Sequence, residues 1–481
     1  MITRRHLIRN IGHMAMALYG SQLEAKADQN SQSLQDQVTD LIDKQRFKGS
    51  QKLTLLYPKG CLANLEPAVK IIRDLTKIEV LLKESALDQI SVDILMAQKV
   101  GRDNFDIALP PTFAIPDLVA GGHLEDLSPY AKVWEPKEYR KSILYSLGDR
   151  HLGKLYGYQT DGDVYLMFLN KRWLENKDLR NRYAQKYQTE LTVPKTWPEL
   201  DRQIAFMHNP EANRCDGLLF RNLNYVLWEY WIRLHGAGLF PFDKDMNPQL
   251  ADDRAIQALD EMTEVTRSLC KDSRSNGLFE NFKSFAEGNK YCNLGWGGTQ
   301  KFLNGPQSKI KDDLIVVAPP GGQFGPRIET LPYFNWGWNF CVSSQSRQKE
   351  LAYLICLLMG TPQVSVRSVA AADGYFDPYR SEHHQDPEII KTYGTNFLDT
   401  HRNALSRAIP DLYLQGQGQY LAPLKQAVFS VTQKQMPAKI ALKQVSAKWQ
   451  KITDQLGREE QVRQWGSLRA AYPDYVRPFL S

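Results

Sequence analysis

The sequence predicts an α/β fold of two lobes, each a helix-covered and mainly parallel sheet. Three observations lead there. The chain has 481 residues, too long for one ordinary core when a domain takes roughly 150 residues. Its first well-patterned stretch alternates short apolar strands with amphipathic helices. A second alternation of the same kind starts near Tyr165. Strands separated by helices imply parallel pairing and an open sheet covered by its crossovers.

Composition sets the class. Hydrophobic residues make up 42% and charged residues 24%, with 25 Pro and 31 Gly, which excludes disordered and fibrous chains. The net charge of +6 is modest, and Arg4, Arg5 and Arg9 supply part of it from the extreme N-terminus. No Lys/Arg run is dense enough to follow a phosphate backbone, so no nucleic-acid partner is expected.

In chain order, residues 1–27 read as a signal peptide. A Thr3-Arg4-Arg5 start precedes a moderately apolar stretch from Ile11 to Tyr19 and an Ala25-Lys26-Ala27 cleavage motif. The arginine pair fits twin-arginine export, with a general secretory signal as the alternative. No cysteine stands at the cleavage point to carry a lipid. Residues 28–50 are polar and read as a tail. Leu53 to Tyr57 is a strand; Leu65, Val69, Ile72 and Leu75 recur at helical spacing; Ile78 to Leu82 and Phe105 to Leu109 are further strands. In such sheets ligands bind beyond the strand C-termini, which puts Tyr57 and the Pro58-Lys59-Gly60 turn near a site. Tyr165 to Leu169 opens the second unit, and Thr196-Trp197-Pro198-Glu199 starts a helix. Ile256, Leu259, Met262, Val265 and Leu269 line one helix face, and Ala441, Val445, Trp449, Ile452 and Leu456 another. Both are read as core stripes.

Six cysteines are present without a C-x-x-C pair, which speaks against zinc and thioredoxin-like chemistry. Proximity in sequence suggests a Cys270–Cys292 disulfide, with buried thiols as the alternative. No H-E-x-x-H, G-x-S-x-G, Walker A or G-x-G-x-x-G pattern occurs. Neither metal nor cofactor is expected.

Several ordered segments together resemble the large extracellular solute-binding proteins of ABC importers, the maltose-binding-protein-like group. The stretch 153–171 (G-K-L-Y-G-Y-Q-T-D-G-D-V-Y-L-M-F-L-N-K) is similar to the segment that crosses between lobes there, and P-K-T-W-P-E-L at 194–200 follows as in the family. Residues 285–297, 316–322, Trp336-Gly337-Trp338, 343–353, Ile409-Pro410 and 417–420 match further elements in order. Gln159 and Thr160 depart from the family's Pro and apolar residue, and the insert between Leu174 and Val193 is long.

The resemblance implies a periplasmic-binding-protein fold, with residues 51–161 and 317–360 in the N-lobe and 162–316 and 361–481 in the C-lobe. It implies a soluble periplasmic receptor, monomeric and non-enzymatic, that closes on a sugar or polyol and delivers it to the permease subunits. Asp163 takes the place of an acidic sugar contact, and Asp161, at i−2 on an extended segment, points to the same side. An ionised carboxylate accepts two sugar hydroxyls strongly, although D-G-D is also a good turn. Trp296, Trp336, Trp338 and Tyr420 fall in the family's ligand loops, where rings stack on pyranose faces, and Tyr57 stands at the first strand end. Trp228 and Trp231 read as helix core. Arg380, in the G-x-x-P-x-R-x-S-like element 374–380, would bind a hydroxyl pair or an acidic group, or else form an interlobe salt bridge. A carbohydrate-active enzyme using the Asp161/Asp163 pair is the rival reading, and a ligand-binding subunit for a sensor is a third; two carboxylates on one strand face suit glycoside hydrolysis poorly.

Overall fold

A computed structural model describes residues 32–45, 51–100, 105–208 and 217–480. Residues 1–27, read above as a signal peptide, lie outside the described residues. The tail is not simply polar: Leu34–Gln45 forms helix α1 and buries Val38 and Ile42, an apolar pair at i and i+4.

Strand β1 (Lys52–Pro58), helix α2 (Leu62–Thr76) and strand β2 (Glu79–Ser85) form the expected βαβ unit, and β1 pairs in parallel with both β2 and β3 (Ile107–Ala108). Strand β4 (Gly157–Gln159) is the last strand of this sheet before the chain crosses over. Beyond the crossing, β5 (Val164–Asn170) is buried at all seven positions. Such a continuous apolar run, V-Y-L-M-F-L, marks a strand covered on both faces. Helix α3 (Trp197–Met207) begins at a capping box in which the Thr196 side chain accepts from Glu199 N–H and Glu199 accepts from Thr196 N–H.

The second sheet is completed by β6 (Gly217–Leu218), β7 (Cys292–Gly295), β8 (Leu314–Val317) and β9 (Tyr333–Phe334). Strand β10 (Asn339–Val342) returns to the first sheet, between β3 and β4, and β11 (Ile409–Pro410) ends in the second, beside β9. Most pairs of the second sheet and the β10 pairs are antiparallel, because strands arriving from the other sheet enter from the opposite end.

The return to the first sheet falls between Phe334 and Asn339, not at 317. Strands β8 and β9 both pair with β5. Helices α4 (Val226–Gly236), α5 (Asp253–Val265), α6 (Gly297–Leu303), α7 (Lys349–Met359), α8 (Pro362–Val369), α9 (Pro387–Tyr393) and α10 (Thr395–Ser406) precede β11, and α11 (Gln417–Thr432), α12 (Ala438–Gln455) and α13 (Arg458–Ala470) follow it. Helices α7 and α8 pack on α1 and α2 beside the first sheet, whereas α11 and α12 pack on α5 beside the second. Residues between α8 and α9 therefore make a third crossing.

The cysteine pairing suggested by sequence proximity does not form. Cys292 is a buried thiol in β7, and Cys270 is disulfide-bonded to a partner outside the described residues. No helix among the described residues is long and apolar enough to cross a membrane.

Candidate functional site

The three crossings meet. In the first, Thr160 N–H donates to Trp338 O at 2.9 Å and Gln159 Nε2 donates to Asp161 O at 2.6 Å. The Asp161 carboxylate accepts the N–H of Asp377, from the third crossing, at 2.7 Å, and Gly162 N–H donates to Asp377 O at 3.1 Å. Gly162 has to be glycine: a Cβ there would sit 1.9 Å from the Pro378 carbonyl oxygen. Asp163 is half-buried and its carboxylate faces the Gly337 N–H at 3.5 Å. Gly337 adopts φ +69, which glycine tolerates best.

Three carboxylates thus converge. Burial pushes the Asp161 and Asp163 carboxyls well above the usual carboxylate range; the charges of Asp163 and Asp377 add to this at Asp161, and that of Asp377 at Asp163. Burial also raises Asp377, against the opposing pull of Lys301, the Tyr393 hydroxyl and the Gly297 and Gly298 N–H groups at the start of α6. Tyr393 OH donates to Asp377 Oδ1 at 2.7 Å. Lys301 spends its ammonium protons on the carbonyls of Ala371, Gly374 and Phe376 at 2.8–3.1 Å, and burial lowers its pKa to about 8.

Aromatic side chains form the other wall. Trp296 is nearly buried, with its Nε1 donating to Asn335 Oδ1 at 2.8 Å and its ring 4.8 Å from Tyr165 and 5.2 Å from Trp228. Trp336 meets Phe113 edge-on at 5.0 Å, Trp338 at 6.0 Å and Trp228 at 6.2 Å. The run Phe113, Trp336, Trp228 spans from the β3 side, through the second crossing, to α4 of the second sheet. Phe113, Asp163, Trp228 and Trp336 all keep partial exposure.

Around this wall, Gln159 Oε1, Thr160 Oγ1, Tyr165 OH, Asn335 Nδ2 and Trp336 Nε1 are buried without a hydrogen-bond partner. Buried polar atoms are normally satisfied, so this concentration marks a place built to meet a polar group from outside the fold. Among the described residues, no group of three or more His, Cys, Asp or Glu side chains is placed to hold a metal ion.

The residues singled out from sequence separate into two sets. Asp161, Asp163, Trp296, Trp336 and Trp338 come together. Tyr57, the last residue but one of β1, is buried, and the turn after the strand lies under Tyr375 of the third crossing, where a Gly60 Cβ would fall 2.2 Å from Tyr375 Cε2. Tyr420 does not join. It is fully buried on α11, its hydroxyl shared with Thr453 and Gln461 at 2.9 and 3.0 Å and its ring against Phe242 and Trp449. Arg380 faces the first lobe, not the cleft. Its Nη1 donates to Tyr139 O and Ser142 Oγ at 2.9 and 2.8 Å, and its guanidinium lies 4.7 Å from the Tyr139 ring centre. Among the described residues it makes no salt bridge. Trp231 is core as expected, but Trp228 belongs to the aromatic wall; its three-residue offset from Trp231 places both on adjoining helix faces, and the pattern could not say which is covered. Asp377, Lys301, Asn335 and Phe113 were not anticipated either. The departures Gln159 and Thr160 were a usable signal, since polar side chains there end up buried and unpartnered.

Comparison with known structures completes the description. T. maritima MalE3 with bound maltose matches at a TM-score of 0.68 and 15% identity, over 84% of this chain and 100% of that one. A solute-binding protein of an ABC transporter from Agrobacterium radiobacter in complex with ribitol matches at 0.68 and 15%, over 84% and 98%. One from Thermotoga lettingae bound with alpha-D-tagatose matches at 0.67 and 17%, over 84% and 100%. The chain has the two-lobed solute-binding-protein fold. In that fold the cluster lies where the chain passes between lobes. No protein-family model matches the sequence, and no curated protein does.

Proposed function

We propose that the protein is the exported, periplasmic substrate-binding component of an ABC importer, a monomer that captures a sugar or polyol between its lobes and presents it to the permease subunits. The observation that carries this reading is the pairing of an aromatic wall with converging carboxylates and unpartnered polar atoms at the crossings. Carboxylates accept hydroxyl protons, rings take the C–H faces of a sugar or polyol, and the buried Asn335 and Trp336 N–H donors supply the reverse polarity. Neighbouring structures with maltose, ribitol or tagatose support the solute class. A solute touching both lobes stabilises the closed form by its differential affinity, and that form is the one a transporter recognises. Asp161, Asp163, Trp228, Trp296, Trp336 and Trp338 are the residues assigned to the solute.

A thermal-shift screen against mono- and oligosaccharides, polyols and sugar acids tests it, because a ligand of the native state raises the melting temperature. A saturable shift with the compound recovered intact supports capture. Consumption of the compound would replace it with a hydrolase, and no shift from any carbohydrate or polyol would remove the solute class.

A further inference from the structure

A cavity of about 510 Å³ opens on the second lobe, between α6, β8 and the α9–α10 junction. That is within the size of small-molecule sites, roughly 300–1,000 Å³. It is distinct from the crossings, although Gln300 on its wall precedes Lys301, and Tyr393 on its wall holds Asp377 with its hydroxyl.

Its chemistry is one-sided. Leu314, Ile315, Val316 and Phe397 supply apolar surface, and among the described residues the only formal charge on the lining is the exposed Lys311 ammonium, with no Asp or Glu. Thr395, Asn396 and Phe397 line it as the first turn of α10, a helix of 12 residues with no side-chain cap on its N-terminus, behind Gly394, whose own N–H donates to Ile390 O at 2.8 Å. Free N–H groups at a helix start attract anions. An independent observation is Gln300. It is 6% exposed, its Nε2 donates to Tyr393 O at 2.6 Å, and its Oε1 has no partner. That amide orientation is fixed, since reversing it would set two oxygens against each other, so Oε1 calls for a donor.

We propose that this cavity is a second binding site, for a small organic anion that carries a hydroxyl and an apolar body. The anionic group sits at the α10 N-terminus near Lys311, the hydroxyl donates to Gln300 Oε1, and the apolar body lies on Leu314, Ile315 and Val316.

Calorimetric titration of the purified protein with 2-hydroxyisocaproate, 4-methylpentanoate and inorganic phosphate tests it. The hydroxy acid should saturate, with at least tenfold tighter binding than either of the other two. Lys311→Glu, an exposed change that leaves the fold intact, should weaken it at least tenfold, and Gln300→Leu should abolish the preference for the hydroxylated acid. Asp163→Asn should leave it unchanged. The proposal is overturned by absence of saturation, by undiminished affinity in Lys311→Glu, or by loss in Asp163→Asn, which would put the probe in the cleft. None of these outcomes bears on sugar capture at the crossings, which the carbohydrate screen tests separately.

Discussion

Two buried clusters of charge in the second lobe and at its border are assembled on opposite principles. Behind α4, Arg221 grips Glu229 at 2.6 and 3.1 Å; Arg233 donates to the same carboxylate at 2.9 Å and to Asp201 at 2.6 and 2.8 Å. Two cations meet two anions. Arg221 further donates to Thr266 and to the Phe220 carbonyl, and Arg233 lies 4.3 Å from the Trp197 ring centre. Burial pushes the Glu229 pKa up, but the two arginines outweigh it and hold the group below the usual value. At the crossings, three carboxylates face one lysine that is turned toward carbonyls, and burial wins. A balanced, satisfied cluster holds a fold together; an unbalanced one with unpartnered donors and acceptors around it is shaped for something else.

The contrast breaks most visibly if one partner of the balanced set is removed. Glu229→Ala leaves two buried guanidinium groups uncompensated and should cost about 3–5 kcal/mol of stability in urea denaturation. Asp163→Ala should cost far less stability. It should instead weaken solute binding by about 1–3 kcal/mol in calorimetry, the range for leaving a buried hydrogen-bonding group without its partner; unchanged affinity would take Asp163 out of the site. Trp336→Ala should weaken the same binding by about 1 kcal/mol, the order of a specific ring contact beyond its buried area, with the fold retained.

The smallest effect sharpens the comparison through pH. Groups whose folded pKa is raised, as at Asp161 and Asp163, make the native state hold more protons than the unfolded chain, whose aspartates titrate near about 4. Their contribution is therefore most favourable at acid pH and falls as pH rises through the folded values. Without ligand, Asp163→Asn should gain stability relative to the parent as pH is raised from 4 to 8, measured by thermal melts. A flat difference would show that the carboxylate is not held back by burial. Asp149, raised by burial to about 6 against the pull of Arg140, should make Asp149→Asn show the same sign of pH dependence, ending near pH 6.

Much of this architecture is written in local patterns. The βαβ start, the apolar run of β5 and the capping box at Thr196 and Glu199 each follow from a spacing or a residue type that physics ties to one conformation. What local pattern cannot encode is membership. Leu314 to Val317 reads equally well as a strand of either sheet, so the resemblance of 316–322 to a crossover segment points to a return near 317, whereas the chain returns after Phe334. Tyr420 follows a loop similar to a ligand loop, yet its position on α11 turns the ring inward onto Trp449. Asp161, Asp163 and the Trp336-Gly337-Trp338 element were legible because they sit in quoted motifs. Asp377 and Lys301 were not, since a single acid and a single lysine far apart in sequence acquire meaning only when the third crossing lies against the first.

Gly162 gives that contact a mechanical consequence. With the Pro378 carbonyl filling the space where a side chain would begin, residues 159–163 and 377–378 cannot slide past each other independently. For a protein engineer the two loops count as one joint. A fluorescent reporter or a backbone cut placed in either would sense, and disturb, the other, more than 200 residues away along the chain.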